Sequence, residues 1–207
     1  PPARLAPSRA PRARRRHVRP RRRVALERAD VAVLVRVAAP HGVVDVLVPA
    51  DDDNSKGAAM DSYITKLRSN RRHDFTQDIE ELDNGQKFRK LIVTLKDKYD
   101  REFPVRMDIK AACRGSEYEY VKLHQTGSAD FNTFCSMQAL RKGLKLSQLG
   151  LVVIDETKVP EQIKTLPKEE TCTDITVVQA RTTSELQTIL GYLDIRNDVI
   201  LNLHLRN

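Results

Sequence analysis

Two aspartates stand inside apolar, β-branched runs, and their carboxylates are the groups in this chain best placed by type for chemistry. Asp45 lies within Val43-Val44-Asp45-Val46-Leu47-Val48, and Asp108 follows 63 residues later within Val105-Arg106-Met107-Asp108-Ile109. Aspartate oxygens are the hard ligands that Mg²⁺ takes. A charge inside such a run also arises from plain strand alternation with one wet face. The residue types alone therefore leave a metal-ligand reading and an exposed-face reading side by side. A second candidate is the turn Thr126-Gly127-Ser128 with Asn132 four residues beyond it. Glycine there lets the backbone approach a ligand closely, although an ordinary turn into a helix uses the same residues.

These side chains need strands and helices to hold them. Residues 31–35 and 43–48 are β-branched runs separated by Pro40, His41 and Gly42, and read as strands. Residues 89–95 and 103–109 are β-prone and flank a polar hairpin loop at 96–100. A short helix is expected over 60–69, where Met60, Ile64 and Leu67 recur at helical spacing behind the polar loop 50–57. Residues 117–125 suit either strand or helix by composition. Residues 126–142 read as a turn and helix, with Ser128 as N-cap and Asp130 in the first turn. Beyond it come extended pieces at 151–154 and 175–179, a polar loop over 155–173, and a helix from about 183 to 193.

The order of residue types over 122–151, KLHQTGSADFNTFCSMQALRKGLKLSQLGL, is more particular than these elements require. It resembles the family X DNA polymerases, the polymerase beta type, in the segment joining the palm to the subdomain that closes on the incoming nucleotide. The order continues upstream through 75–88, 89–95 and 103–109 and downstream through 182–190, so the likeness covers roughly 45–198. It implies an α+β fold, a nucleotidyltransferase-type palm with a mixed β-sheet and flanking helices, followed by a small α/β C-terminal subdomain. The implied division is a tail at 1–28, a palm at 29–124 and a thumb or fingers subdomain at 125–207, and the likeness favours helix over 117–125. The implied activity is template-directed addition of deoxynucleotides to a primer 3′ end, with Mg²⁺ or Mn²⁺ as cofactor. Primer-template or gapped DNA and deoxynucleoside triphosphates would be its partners, and the protein a monomer.

The resemblance also assigns roles. Asp45 and Asp108 would be catalytic metal ligands. Two ions about 3.5–4 Å apart activate the attacking hydroxyl and neutralise the leaving pyrophosphate in such chemistry. Thr126, Gly127 and Ser128 would turn against the incoming sugar, and Asn132 would offer its amide to the minor-groove edge of the nascent pair. Arg106 would lie near the primer terminus and Arg36 would be a remnant of a phosphate clamp. Several positions depart from the family pattern. Val43 stands where the first Asp is expected, and the alternative register at Asp30 supplies that Asp but loses the second. His124-Gln125 replaces an aromatic pair, Ser136 an Arg, and Gln148 a Glu. These changes leave room for a non-catalytic nucleic-acid-binding or scaffold protein, or for an untemplated nucleotidyltransferase.

Charge is distributed unevenly. Residues 1–28 hold 11 Arg against one Glu, a net of +10, so residues 29–207 carry −2 of the formal +8. The basic balance thus belongs to the tail, whose Pro, Ala and Arg offer little apolar surface to offset ordering entropy. Such a segment reads as a nucleic-acid-binding arm, a nuclear address, an Arg-rich transit peptide, or a misread coding boundary, since the chain begins at Pro1. The expected location is the nucleus, with mitochondrial or viral alternatives. No apolar run approaches the roughly 20 residues of a membrane helix. The three cysteines, Cys113, Cys135 and Cys172, show neither a disulfide framework nor zinc spacing, which points to a reducing compartment, with Cys135 buried mid-helix.

Overall fold

The computed structural model describes residues 26–28, 31–36, 43–69, 75–96, 99–126 and 128–195. Strands β1 (Leu26–Arg28), β2 (Val31–Arg36) and β3 (Val43–Ala50) lead into helix α1 (Lys56–Ser69). Three longer strands follow, β4 (Phe75–Asn84), β5 (Phe88–Lys96) and β6 (Glu102–Cys113). All six form one mixed sheet in the order β1-β2-β3-β6-β5-β4. β3 and β6 run parallel at its centre, and every other neighbouring pair is antiparallel.

Alternation decides what each sheet face does. Val46 and Val48, Met107, Ile109 and Ala111, and Leu91 and Val93 point to one face, where Met60 and Ile64 of α1 close over them. Fully burying an aliphatic side chain of this size contributes about 1.5–3 kcal/mol. Truncating Ile64 to Ala would cost about 2–5 kcal/mol for the same reason. α1 begins earlier than residue 60 because Ser55 and Asp52 form a side-chain turn ahead of it, in which Ser55 N donates to Asp52 Oδ1 at 2.7 Å. Lys56 then joins the helix as a buried residue.

Helix α2 (Ser116–Thr126) leaves the end of β6 and crosses the opposite sheet face. Val121 packs there on Leu47 and Ala112. Its neighbour Tyr120 enters a second, larger core and donates its hydroxyl to Val178 O at 2.8 Å. That core is built by α3 (Ala129–Arg141), β7 (Leu144–Ser147), β8 (Gly150–Val153), α4 (Glu161–Lys164), β9 (Lys168–Glu170), β10 (Thr176–Val178) and α5 (Thr183–Tyr192). Ser128 caps α3 by accepting from Phe131 N, as its position suggested. Gly143 takes φ +70 to turn α3 into β7, and a Cβ there would strike the Asp155 carbonyl.

Two sequence expectations need correction. The stretch 155–173 is not a plain loop, since it holds α4 and β9, short polar elements fixed by packing of Ile163 and by pairing with β10. Cys113 and Cys172 are joined in a disulfide across 59 residues, so the reading of three unpaired thiols fails for this pair, while Cys135 is free and buried. Closing a loop of that length removes about 4 kcal/mol of entropy from the unfolded chain in the chain-entropy picture. Among the described residues, no helix is long and apolar enough to cross a membrane.

Candidate carboxylate site on the sheet face

Asp45 on β3 and Asp108 on β6 are register partners in the parallel pair. Partners in adjacent strands share a face and lie about 4.8 Å apart at the backbone. The sheet therefore sets two carboxylates side by side, which is unfavourable without a nearby cation. Arg106 supplies one from the same strand and face. Its Nε donates to Asp108 Oδ1 at 2.8 Å and its Nη2 to Oδ2 at 3.0 Å. This two-pronged grip, with the Asp108 charge and then that of Asp45, holds the Arg106 pKa above its usual value. Asp45 has interactions of its own.

The other strands extend the face. Lys90 is the cross-strand partner of Asp108 on β5, and Phe88 that of Lys110. The Lys90 and Lys110 ammonium groups lie 5.3 and 5.7 Å from the Phe88 ring centre, within cation–π range. Two acids thus sit within a rim of Arg106, Lys90 and Lys110. Residue types hid this rim, because lysines in strands read as ordinary solvated positions. The cross-strand register is the signal that collects them.

The end of α2 overlooks the same face. Burial pushes the His124 pKa down and the Lys110 charge adds to the shift, against an opposing backbone hydrogen bond at Ser147. Its Nε2 is buried without a hydrogen-bond partner, as is Oε1 of the adjacent Gln125. The carbonyl of His124 accepts from Asn132 Nδ2 at 2.8 Å, so the Asn132 amide ties α3 back to α2. Thr126 Oγ1 donates to the carbonyl of Lys122 at 2.9 Å, and Ser128 is occupied as the cap. Gly127 and the Arg36 side chain lie outside the described residues. The Arg36 backbone belongs to β2 and pairs with Val43.

Val43 shares the face of Asp45 two residues away and opposes Arg106. Two carboxylates fit one hard divalent cation, once Arg106 yields its hold on Asp108. Elsewhere among the described residues, the ligand atoms of Cys113, Glu117 and Cys172 cluster within 4.8 Å of one another, with the two sulfurs bonded to each other.

No known sequence family matches the chain, and neither does any curated protein. Solved structures do match. The Leishmania infantum polymerase beta ternary gap complex superposes with a TM-score of 0.51 at 16% identity, over 78% of this chain and 60% of that one. Its ternary P/T complex gives 0.50 at 17% identity, over 78% and 64%. The fold is polymerase-beta-like. The chain spans about three-fifths of the length of these polymerase beta chains. Within the polymerase-beta-like fold of this chain, the central parallel pair and the helix crossing its open face are the parts that position Asp45, Asp108 and His124.

Proposed function

We propose that the chain is a DNA polymerase of the repair, family X type, adding deoxynucleotides to a primer 3′ end with impaired catalysis. The observation that carries this reading is the pairing of Asp45 with Asp108 on the open face of a polymerase-beta-like sheet. Residues 29–124 would serve as palm and 125–207 as the nucleotide-closing subdomain, acting as a monomer on primer-template or gapped DNA.

Asp45 and Asp108 would hold Mg²⁺ or Mn²⁺, which when bound supplies charge neutralisation at the triphosphate and acidifies the attacking hydroxyl. Arg106 moves from Asp108 to a DNA phosphate near the primer end, a transfer between two anions that its fork geometry permits. Lys90 and Lys110 offset phosphate charge beside the acids. The α2–α3 turn, with Thr126, Ser128 and Asn132, faces the sugar and base. Val43 leaves one ligand missing, so transfer is slow.

Primer extension on gapped DNA tests this. The parent chain should extend weakly, and Val43→Asp should raise the rate at least about tenfold, a barrier change of about 1.4 kcal/mol. A Val43→Asp variant that folds and binds DNA yet never extends a primer would overturn the enzyme reading. A second reading would then stand, a non-catalytic DNA-binding protein on this fold, favoured by the grip of Arg106 on Asp108.

A further inference from the structure

The end of β6 and the turn between β9 and β10 are fastened by the Cys113–Cys172 disulfide, with Cα atoms 6.7 Å apart. Glu117 Oε2 lies 2.9 Å from Cys172 Sγ. A bonded disulfide sulfur carries no proton, so this is a contact between two acceptors. The carboxylate is also held in place. Lys56 Nζ donates to its Oε1 at 2.6 Å and to Asp53 Oδ1 at 2.9 Å, with Lys56 and Glu117 both buried. Reduction removes the conflict, because a Cys172 thiol donates S–H to Glu117. Solvent reaches the sulfurs through a cleft lined also by Asp51, Arg114, Glu169, Glu170, Thr171 and Asp174.

We propose that Cys113 and Cys172 form a thiol–disulfide exchange site, opened by a small thiol and closed by a small disulfide, that releases or fastens the β9–β10 hairpin at the end of the sheet. Cys172 is the more exposed of the two and takes the attack. The incoming thiolate bonds to Cys172 Sγ as the Cys113–Cys172 bond breaks, and Cys113 leaves as a thiolate that takes a proton from water. A second small thiolate then attacks the mixed disulfide and departs as the small disulfide. Cys172 also takes a proton and presents it to Glu117. The protein gains two electrons and two protons, and two small thiols become one disulfide. Closing is the reverse. Five of the lining side chains, Glu117 included, are acidic and one is basic, which favours a neutral or cationic thiol over an anionic one.

The test equilibrates the full chain in cysteamine/cystamine buffers of graded ratio, quenches with N-ethylmaleimide under native conditions, and counts adducts by mass. Cys113 and Cys172 should gain adducts together at a defined ratio while buried Cys135 stays unmodified. Hydrogen exchange over 168–178 should quicken on reduction. Glu117→Gln, and Glu117→Asp should the first variant fold poorly, should shift the midpoint several-fold toward the disulfide by weakening the acceptor contact. The same series in glutathione should equilibrate more slowly. A cross-link that resists reductant until the chain unfolds, a failure to form it in the oxidising buffers, or a stoichiometric zinc ion shielding both sulfurs would each overturn the proposal.

Discussion

Arg106 grips Asp108 from two residues earlier on the same strand, through two parallel hydrogen bonds of 2.8 and 3.0 Å. The grip offsets the repulsion between Asp108 and Asp45 across the parallel pair. Arg106→Ala should therefore lower stability by about 0.5–1 kcal/mol, modest because the guanidinium is half exposed. Mg²⁺ should then raise the unfolding temperature of the variant more than that of the parent, since the two carboxylates are left to share the ion. Equal shifts in a thermal melt with and without Mg²⁺ would argue against a cation site at this pair.

Lys56 and Glu117 form a different kind of ion pair, with 3% and 4% of their side chains exposed. Burial pulls the Lys56 pKa down, but hydrogen bonds to Glu117 and Asp53 outweigh it and hold the value above normal. Lys56→Met strands a buried carboxylate and should cost about 3–5 kcal/mol, whereas Lys56→Met with Glu117→Leu should recover most of that loss. Urea denaturation of the single and double variants decides. A double variant as unstable as the single one would show that packing, not the charge, sets the cost.

His124 gives a pH signature. Its folded pKa is depressed, first by burial and then by Lys110. The stability tied to the neutral ring is complete above the unfolded value of about 6.5 and is lost as pH falls through the lower folded value. The unfolding midpoint of the parent should drop between about pH 7 and 5 more steeply than that of His124→Gln, which has no proton to gain. Parallel pH profiles for the two chains would remove His124 as the cause.

On the proposed reading, the tail should set the non-specific affinity for DNA. Residues 1–28 carry a net +10 and the remainder −2. Each phosphate contact contributes about −0.9 to the slope of log affinity against log salt. Deleting 1–28 should weaken binding and flatten that slope, and an unchanged slope in a salt titration would contradict the assignment.

Much of the framework was readable from residue order. The β-prone runs around Asp45 and Asp108 mark both as strand residues, the family likeness puts them on neighbouring strands, and Ser128 marks the start of α3. What escaped reading depends on contacts distant in sequence. α4 and β9 are four and three residues long and mostly polar, so their own propensities say little, and they exist because Ile163 is buried and β10 pairs alongside. Cys113 and Cys172 are 59 residues apart with no spacing pattern, and only the meeting of two cores along α2 joins them. The rim of Lys90 and Lys110 emerged from register rather than residue type.

The central parallel pairing also bears on when the site comes into being. β3 and β6 are joined through α1, β4 and β5, so Asp45 meets Asp108 only after the chain between them has been drawn in. The β5–β6 hairpin, by contrast, pairs neighbours across a short turn. Loop closure grows more costly with length, and non-local strand pairing is the slow part of folding. The hairpin should thus form early and the carboxylate pair late. A chain emerging from the ribosome holds no assembled pair of carboxylates until β6 has left the exit tunnel.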